Sequence, residues 1–262
     1  MTTRPMRKIA FQNLKGGTGK TTSAVTLASL LCSRGYKVLL VDMDAQGNIK
    51  EHFGLTHPHT TYDLLVGEAP VDTCLVVARD GLHCIISDTT LAACESILIS
   101  RPRREEALRH SLEAIDGYDF VLVDSPPSLS ILNQNALVFA DELIIPVSMD
   151  YLALLGAAQV VEHLALIERY FDKTIRVLGV LPTFFDRRTR VSSEVYEALQ
   201  ARYGERVWPP IRIDTKISQA PSARKTIDTF RRNSRGAQDY EAVCDLLIGS
   251  PHPVAETPAT RQ

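Results

Sequence analysis

Residues 15–22 read KGGTGKTT, and a segment of this kind is compatible with few folds. Closely spaced glycines let the main chain curl so that successive N–H groups converge on one anion. Lys20 and Thr21 at the end of the loop supply an amine for phosphate oxygens and a hydroxyl for Mg²⁺. Such a loop works only between a strand and a helix, because the helix N-terminus adds its positive end to the same anion. The flanks agree. Residues 8–12 read as a strand. Residues 21–34 read as a helix with Ala24, Leu27, Ala28 and Leu31 on one face and Gly35 just past its end. The general pattern opens with glycine, where this chain has Leu14; Gly16 and Gly17 lie inside the loop instead. The expected ligands are ATP and Mg²⁺, with Lys15, Gly16, Gly17, Thr18, Gly19, Lys20, Thr21 and Thr22 forming the nucleotide cradle.

Downstream, short apolar runs alternate with helix-period segments. Strands are predicted at 38–41, 83–86, 120–123, 143–147 and 177–181. Helices are predicted at 103–115, 131–139, 152–170, 193–203 and 238–247. This alternation predicts an α/β fold, a mostly parallel twisted sheet with helices on both faces. The run at 38–41 is apolar throughout, as a strand covered on both sides should be. A length of 262 residues suits one large domain, placed at 8–249. The polar ends, 1–7 and 250–262, are expected to be mobile.

Two carboxylate positions fit the same chemistry. Asp124 ends the apolar run 120–123 and therefore reaches the C-terminal edge of the sheet, where ligands of such folds bind. That is the Walker B position for Mg²⁺. Asp42 and Asp44 follow the run ending at Val41 and alternate with Met43, so both can project toward metal and attacking water.

Composition narrows the setting. The net charge of −2 argues for no global attraction to nucleic acid or membrane. Residues 176–235, however, hold 13 Lys/Arg against 6 Asp/Glu, leaving 16 against 25 elsewhere. That asymmetry points to an anionic partner for the C-terminal third, or to a solvated basic face. The five cysteines have no C-x-x-C spacing, which fits reduced thiols in a cytoplasmic protein. No run of about 18 residues is uniformly apolar, so no membrane span is expected. His57 and His59 flank Pro58 without further ligands and read as a loop.

Taken together the motifs resemble the ParA/MinD group of P-loop ATPases. KGGTGKTT resembles that group's deviant Walker A box, in which the early lysine is the signature. VLLVDMDAQGN (38–48) resembles its second box, with Ala45 in the usual proline position. FVLVDSPPSLS (120–130) resembles its Walker B and switch region. The segments PVSMDYLALLGAAQVV (146–161), GVLPTFFDRRTRVSSEVYEAL (179–199) and ISQAPSARKTI (217–227) resemble later ParA/Soj stretches.

The resemblance implies a P-loop fold of the deviant Walker A (SIMIBI) type and an Mg-dependent ATPase. Lys20 would bind the β- and γ-phosphates. Lys15 would cross a dimer interface to the partner's ATP. Thr21 would bind Mg²⁺ with Asp42 and Asp124 behind it, and Asp44 would orient the water. It further implies an ATP-dependent homodimer on non-specific DNA, cytoplasmic and nucleoid-associated. A ParB-like or other cargo adaptor would stimulate hydrolysis, and the cargo would be a plasmid, a chromosome or a protein complex. Arg187, Arg188, Arg190, Lys216, Arg224 and Lys225 are the implied DNA contacts, with Ile213 where many relatives have arginine. A MinD-like membrane-associated positioning ATPase is the alternative. It requires a basic amphipathic C-terminal helix, and the proline-containing stretch 251–262 has no bulky apolar face. An amide-forming ligase of the same superfamily matches the later segments less well.

Overall fold

The apolar runs become the strands of one seven-stranded sheet. In a computed structural model, which describes residues 5–251, the strands are β1 (Arg7–Phe11), β2 (Val38–Asp42), β3 (Val76–Arg79), β4 (Leu82–Ile85), β5 (Phe120–Asp124), β6 (Glu142–Ser148) and β7 (Arg176–Thr183). The longer helices are α1 (Lys20–Ser33), α5 (Leu91–Ile99), α7 (Ile131–Phe139), α8 (Tyr151–Phe171), α9 (Arg190–Tyr203) and α12 (Arg235–Gly249). Short helices fill the connections: α2 (Asn48–Phe53), α3 (Thr61–Leu65), α4 (Val71–Cys74), α6 (Ala107–Ser111), α10 (Thr215–Gln219) and α11 (Ile227–Phe230). The ends expected to be mobile fall largely outside the described residues, at 1–4 and 252–262.

Strand order is β3-β4-β2-β5-β1-β6-β7, parallel except for the edge pair β3–β4. The order reverses at β1, so the loop after β1 opens at the topological switch point, where such sheets bind ligands. Register then decides which side chains meet there. Asp42 is the partner of Asp124 across β2–β5, and Phe11 is the partner of Asp124 across β1–β5. Each face of the sheet carries its own apolar layer. Ala24, Leu27 and Leu31 of α1 and Tyr240, Val243 and Leu247 of α12 cover one face. Leu98, Ala136, Leu137, Ala153, Val160 and Leu199, from α5, α7, α8 and α9, cover the other.

Two expectations change, the helix at 103–115 and the place of Arg7. The helix predicted at 103–115 is a single 3₁₀ turn, Arg104–Glu106, followed by the short α6; the turn opens on Arg103 in the left-handed region (φ 53°), which blocks helix entry earlier. The helical segment that packs in that region is instead α5, whose Leu91, Cys94 and Leu98 are buried. Arg7, placed in the mobile N-terminal stretch, is buried and begins β1. Its guanidinium grips Glu142 at 2.7 and 2.9 Å and donates to Leu247 O and Ser250 Oγ. The counter-charge lies 135 residues away, so local sequence could not reveal it. Finally, α8 spans 21 residues with mean hydropathy 1.3, long and apolar enough by length and composition to cross a membrane. Its buried Ala153, Ala157, Val160, Leu164 and Ile167 form a stripe in the sheet core, which accounts for that apolar face.

The outer edge of β7 is closed by an extended segment that bridges Val180 to Val207 and Phe185 to Arg212. Here Trp208, the single tryptophan, lies flat on Gly179. A Cβ on Gly179 would stand 2.2 Å from the indole ring, so the ring or the strand would have to shift. Gly179→Ala is expected to lower the urea midpoint by roughly 1–3 kcal/mol equivalent, the usual range for overpacking, and to alter Trp208 fluorescence. An unchanged midpoint would contradict this packing.

Candidate nucleotide site

The loop between β1 and α1 adopts conformations that its glycines permit. Gly17 and Gly19 have φ of 74° and 82°, a region costly for side chains with a Cβ. Gly19 is the N-cap of α1, so the first free N–H groups of that helix face the loop. Thr18 is buried; its carbonyl accepts from Thr183 Oγ1 at 2.9 Å, while its own hydroxyl has no protein partner. Space above Gly16 and Gly17 is open, since a Cβ at either would meet nothing within 4 Å.

The charged groups converge on that space. The Lys20 amine is largely buried and donates to Lys15 O at 3.0 Å. Burial lowers its pKa, against the attraction of Asp124 and Asp44. Thr21 Oγ1 donates to Asp124 Oδ2 at 2.6 Å, and Asp124 Oδ1 is buried with no partner. Burial pushes Asp124 up to about 7, against the Thr21 hydrogen bond and the Lys20 charge. Asp42 is fully buried and is raised well above the ordinary carboxylate range, by burial first and Asp124 second. Thr22 lies half-buried in the first turn of α1.

The two aspartates after β2 differ in their commitments. Asp42 accepts main-chain N–H groups from Asp44 at 3.0 Å and Ile49 at 3.3 Å, so it also closes the turn that carries Asp44. Asp44 is half-buried, caps Gln46 N through Oδ1, and takes the Ser87 hydroxyl on its carbonyl. The charge of Asp44 also acts on Lys20 across the site. Lys15 points elsewhere. Its amine lies 2.7 Å from Asp150 Oδ1, at the N-cap of α8, with about a third of the lysine side chain exposed.

These groups fit Mg-nucleotide. A hydroxyl, an unpartnered buried carboxylate oxygen and a second buried carboxylate stand beside an open glycine loop with a free helix N-terminus. Among the described residues no cluster of three or more His, Cys, Asp or Glu forms a complete metal cage. Mg²⁺ suits such a place, since it takes few protein ligands and completes its shell with phosphate and water.

The basic residues form a second region. Arg187, Arg188 and Arg190 are exposed on the turn after β7. Phe185 N–H donates to Ile211 O and Ile213 N–H to Phe185 O, setting that turn beside the segment leading to Lys216. Lys216 lines a cleft of about 420 Å³ with Phe230, Arg231, Arg232, Asn233 and Ser234. Arg231 and Arg232 were not singled out from sequence, although the adjacent pair in a basic stretch was a signal for them. Arg224 and Lys225 are exposed, with the Arg224 side chain lying over Gly54 at the end of α2. Ile213 is half-exposed among these residues.

A family model described as an AAA domain matches residues 6–177. The chain is 39% identical over 244 residues to the chromosome-partitioning ATPase Soj of Thermus thermophilus, covering 93% of this chain and 96% of that one. It is 36% identical over 248 residues to the chromosome partitioning protein ParA of Caulobacter vibrioides, covering 92% and 93%. Among solved structures it is similar to cobyrinic acid a,c-diamide synthase from Mycobacterium smegmatis with bound ATP analog and magnesium. There the TM-score is 0.80 and the identity 31%, over 93% of this chain and 94% of that one.

The carboxylate pair has a consequence for pH. Asp124 is raised from 3.8 to about 7 in the folded chain, so folding favours its neutral form. Its contribution to stability is full below the ordinary carboxylate range and is lost as pH rises through about 7. Protein free of nucleotide and metal is therefore expected to melt at higher temperature at pH 6 than at pH 8, with a flatter dependence in Asp124→Asn. An equal slope in the variant would assign the effect to another group.

Proposed function

This chain belongs to the ParA/Soj family of P-loop partitioning ATPases, and we propose that it acts as an ATP-gated dimer on DNA. It is an ATPase that uses ATP and Mg²⁺. In our reading Lys20, Gly16, Gly17, Thr18, Gly19 and Thr22 hold the phosphates. Thr21 would hold Mg²⁺, with Asp124 and Asp42 behind it. Bound there, Mg²⁺ would neutralise charge on the phosphate oxygens. Asp44, fixed by the turn that Asp42 closes, orients the attacking water.

The observation that carries the dimer is what surrounds Lys15. Leu129, Tyr151, Leu152 and Phe184 are 55%, 66%, 64% and 49% exposed. They follow β5, β6 and β7, all parallel, so they ring the same sheet edge as the phosphate loop. Large apolar side chains left open around a polar pocket mark a contact surface. The Lys15 amine lies at that rim on Asp150, not in its own loop. A half-exposed ion pair of this kind is worth at most about 1 kcal/mol, so a second copy's triphosphate can readily take the amine. Lys15 then supplies the charge that other P-loop enzymes take from an arginine finger.

Pairing two chains also joins two basic faces. Arg187, Arg188, Arg190, Lys216, Arg224 and Lys225 of one monomer make few phosphate contacts, and doubling them raises affinity through effective concentration. Binding of this type is sequence-independent and falls steeply with salt. The proposed cycle is ATP-driven dimerisation on the nucleoid in the cytoplasm, then hydrolysis stimulated by a ParB-like or other cargo adaptor. Partitioning is preferred to amide formation because the relatives at 36–39% identity carry partitioning names, against 31% for the synthase.

Three variants separate the steps. Lys20→Ala should abolish ATP binding and dimerisation; a nucleotide-dependent dimer in sedimentation would refute the loop assignment. Asp44→Ala should bind ATP, dimerise and stay on DNA without turnover, and normal phosphate release would remove Asp44 from its role. Arg190→Glu, altering a side chain that is 90% exposed, should keep the dimer and lose the DNA gel shift. An unchanged shift would refute the basic face.

A further inference from the structure

Asn13 lies two residues before Lys15 and is completely buried. Every polar atom of its side chain is engaged. Oδ1 accepts the Lys15 main-chain N–H at 3.0 Å. Nδ2 donates to Pro146 O at 2.8 Å and to Ala153 O at 3.4 Å. One amide therefore ties the start of the phosphate loop to the end of β6 and to the first turn of α8. A fully satisfied buried amide is rigid, because shifting it leaves several polar groups unpaired in a low-dielectric interior.

α8 also meets the loop at Gly156. A Cβ there would stand 2.5 Å from Asn13 Oδ1 and 3.4 Å from Lys15 N. The helix backbone can touch the loop only because residue 156 has no side chain. The same helix begins at Asp150, whose Oδ1 accepts Ala153 N–H at 3.0 Å and lies 2.7 Å from the Lys15 amine. Both ends of Lys15, main chain and amine, are thus referenced to the first turns of one helix.

We propose that Asn13 is a positioning residue for Lys15, and that with Gly156 it sets the point and direction from which the Lys15 side chain leaves the loop. The inference rests on the reading of Lys15 as the group lent to a second copy. Lys20 and Thr21 belong to α1 and make no hydrogen bond to Asn13 among those the structure gives. Disturbing Asn13 therefore misaims Lys15 directly and reaches the phosphate-holding groups of α1 only through the Lys20 amine, which rests on the Lys15 carbonyl. A displacement of about 1 Å in a charge that acts at the reacting phosphate can cost on the order of a hundredfold in rate.

The test compares Asn13→Ala, Gly156→Ala and Lys15→Ala for binding of a fluorescent ATP analogue, ATP-dependent dimerisation by sedimentation, and steady-state hydrolysis. Asn13→Ala and Gly156→Ala are expected to bind the analogue within about threefold of the unmodified protein while kcat falls roughly a hundredfold, with KM little changed and the dimer weakened as in Lys15→Ala. Parallel losses of nucleotide affinity and melting temperature would mean that Asn13 only supports the fold, and would overturn the proposal. If Lys15→Ala abolishes the dimer while both other variants dimerise and turn over normally, the positioning role is wrong and the dimer reading stands. If Lys15→Ala itself dimerises and hydrolyses normally, the dimer reading fails and this inference with it. Amide exchange followed by NMR in the unmodified protein needs no variant. Lys15 N–H should exchange more slowly than those of Gly16 and Gly17, and equally fast exchange would refute the Asn13 contact.

Discussion

Two carboxylates, Asp42 and Asp124, are register partners on adjacent strands, and neither is exposed to solvent. Two like charges in that position cannot both be ionised without a cation to offset them. Burial raises the pKa of both, the charge of Asp124 adds to the rise at Asp42, and the Thr21 hydrogen bond and the Lys20 charge work against the rise at Asp124. The rest of the site follows from this frustration. In the proposed reading a divalent ion held there with a triphosphate would offset both charges. Asp42 also closes the turn that carries Asp44, so the groups proposed to hold metal and to orient water share a single buried anchor.

The two lysines of the loop show how differently two like residues are committed. Lys20 is buried, its pKa is lowered, and its amine rests on a carbonyl of its own loop. Lys15 is anchored by its main chain but holds its amine at the rim, in an ion pair worth little in water. In the proposed dimer the first would act within its own subunit and the second outside it. The apolar ring formed by Leu129, Tyr151, Leu152 and Phe184 stands where a second copy would have to sit for Lys15 to be used. Position at the C-terminal edge of a parallel sheet brings all of these together although they come from four separate loops.

Much of this was legible along the chain. The phosphate loop, the strand-ending aspartates and the places along the chain of the six parallel strands follow from local patterns, because each is a short segment whose residue types match one conformation. The misreadings share a cause. At 103–115 the helical periodicity was present, but the left-handed backbone at Arg103 and the packing of α5 set the real boundaries. The edge strand β3 is half-exposed and irregular, with a register shift between Val77 and Arg79, and gives no alternating signal. Arg7 read as a solvated terminus because its partner Glu142 is 135 residues distant.

Sequence alone determined the chemistry: a glycine loop ending in lysine and threonine, carboxylates at the ends of apolar runs, and a basic C-terminal third. These are properties of neighbouring residues, and local spacing is enough to specify them. Tertiary structure alone decided the geometry that makes the chemistry usable. Asp42 faces Asp124 because β2 pairs with β5, and Lys15 is aimed because Asn13 reaches Pro146 and Ala153, more than 130 residues on. Contacts of that range depend on how strands are ordered in the sheet and how closely a helix can approach it, and no window of local sequence contains that information.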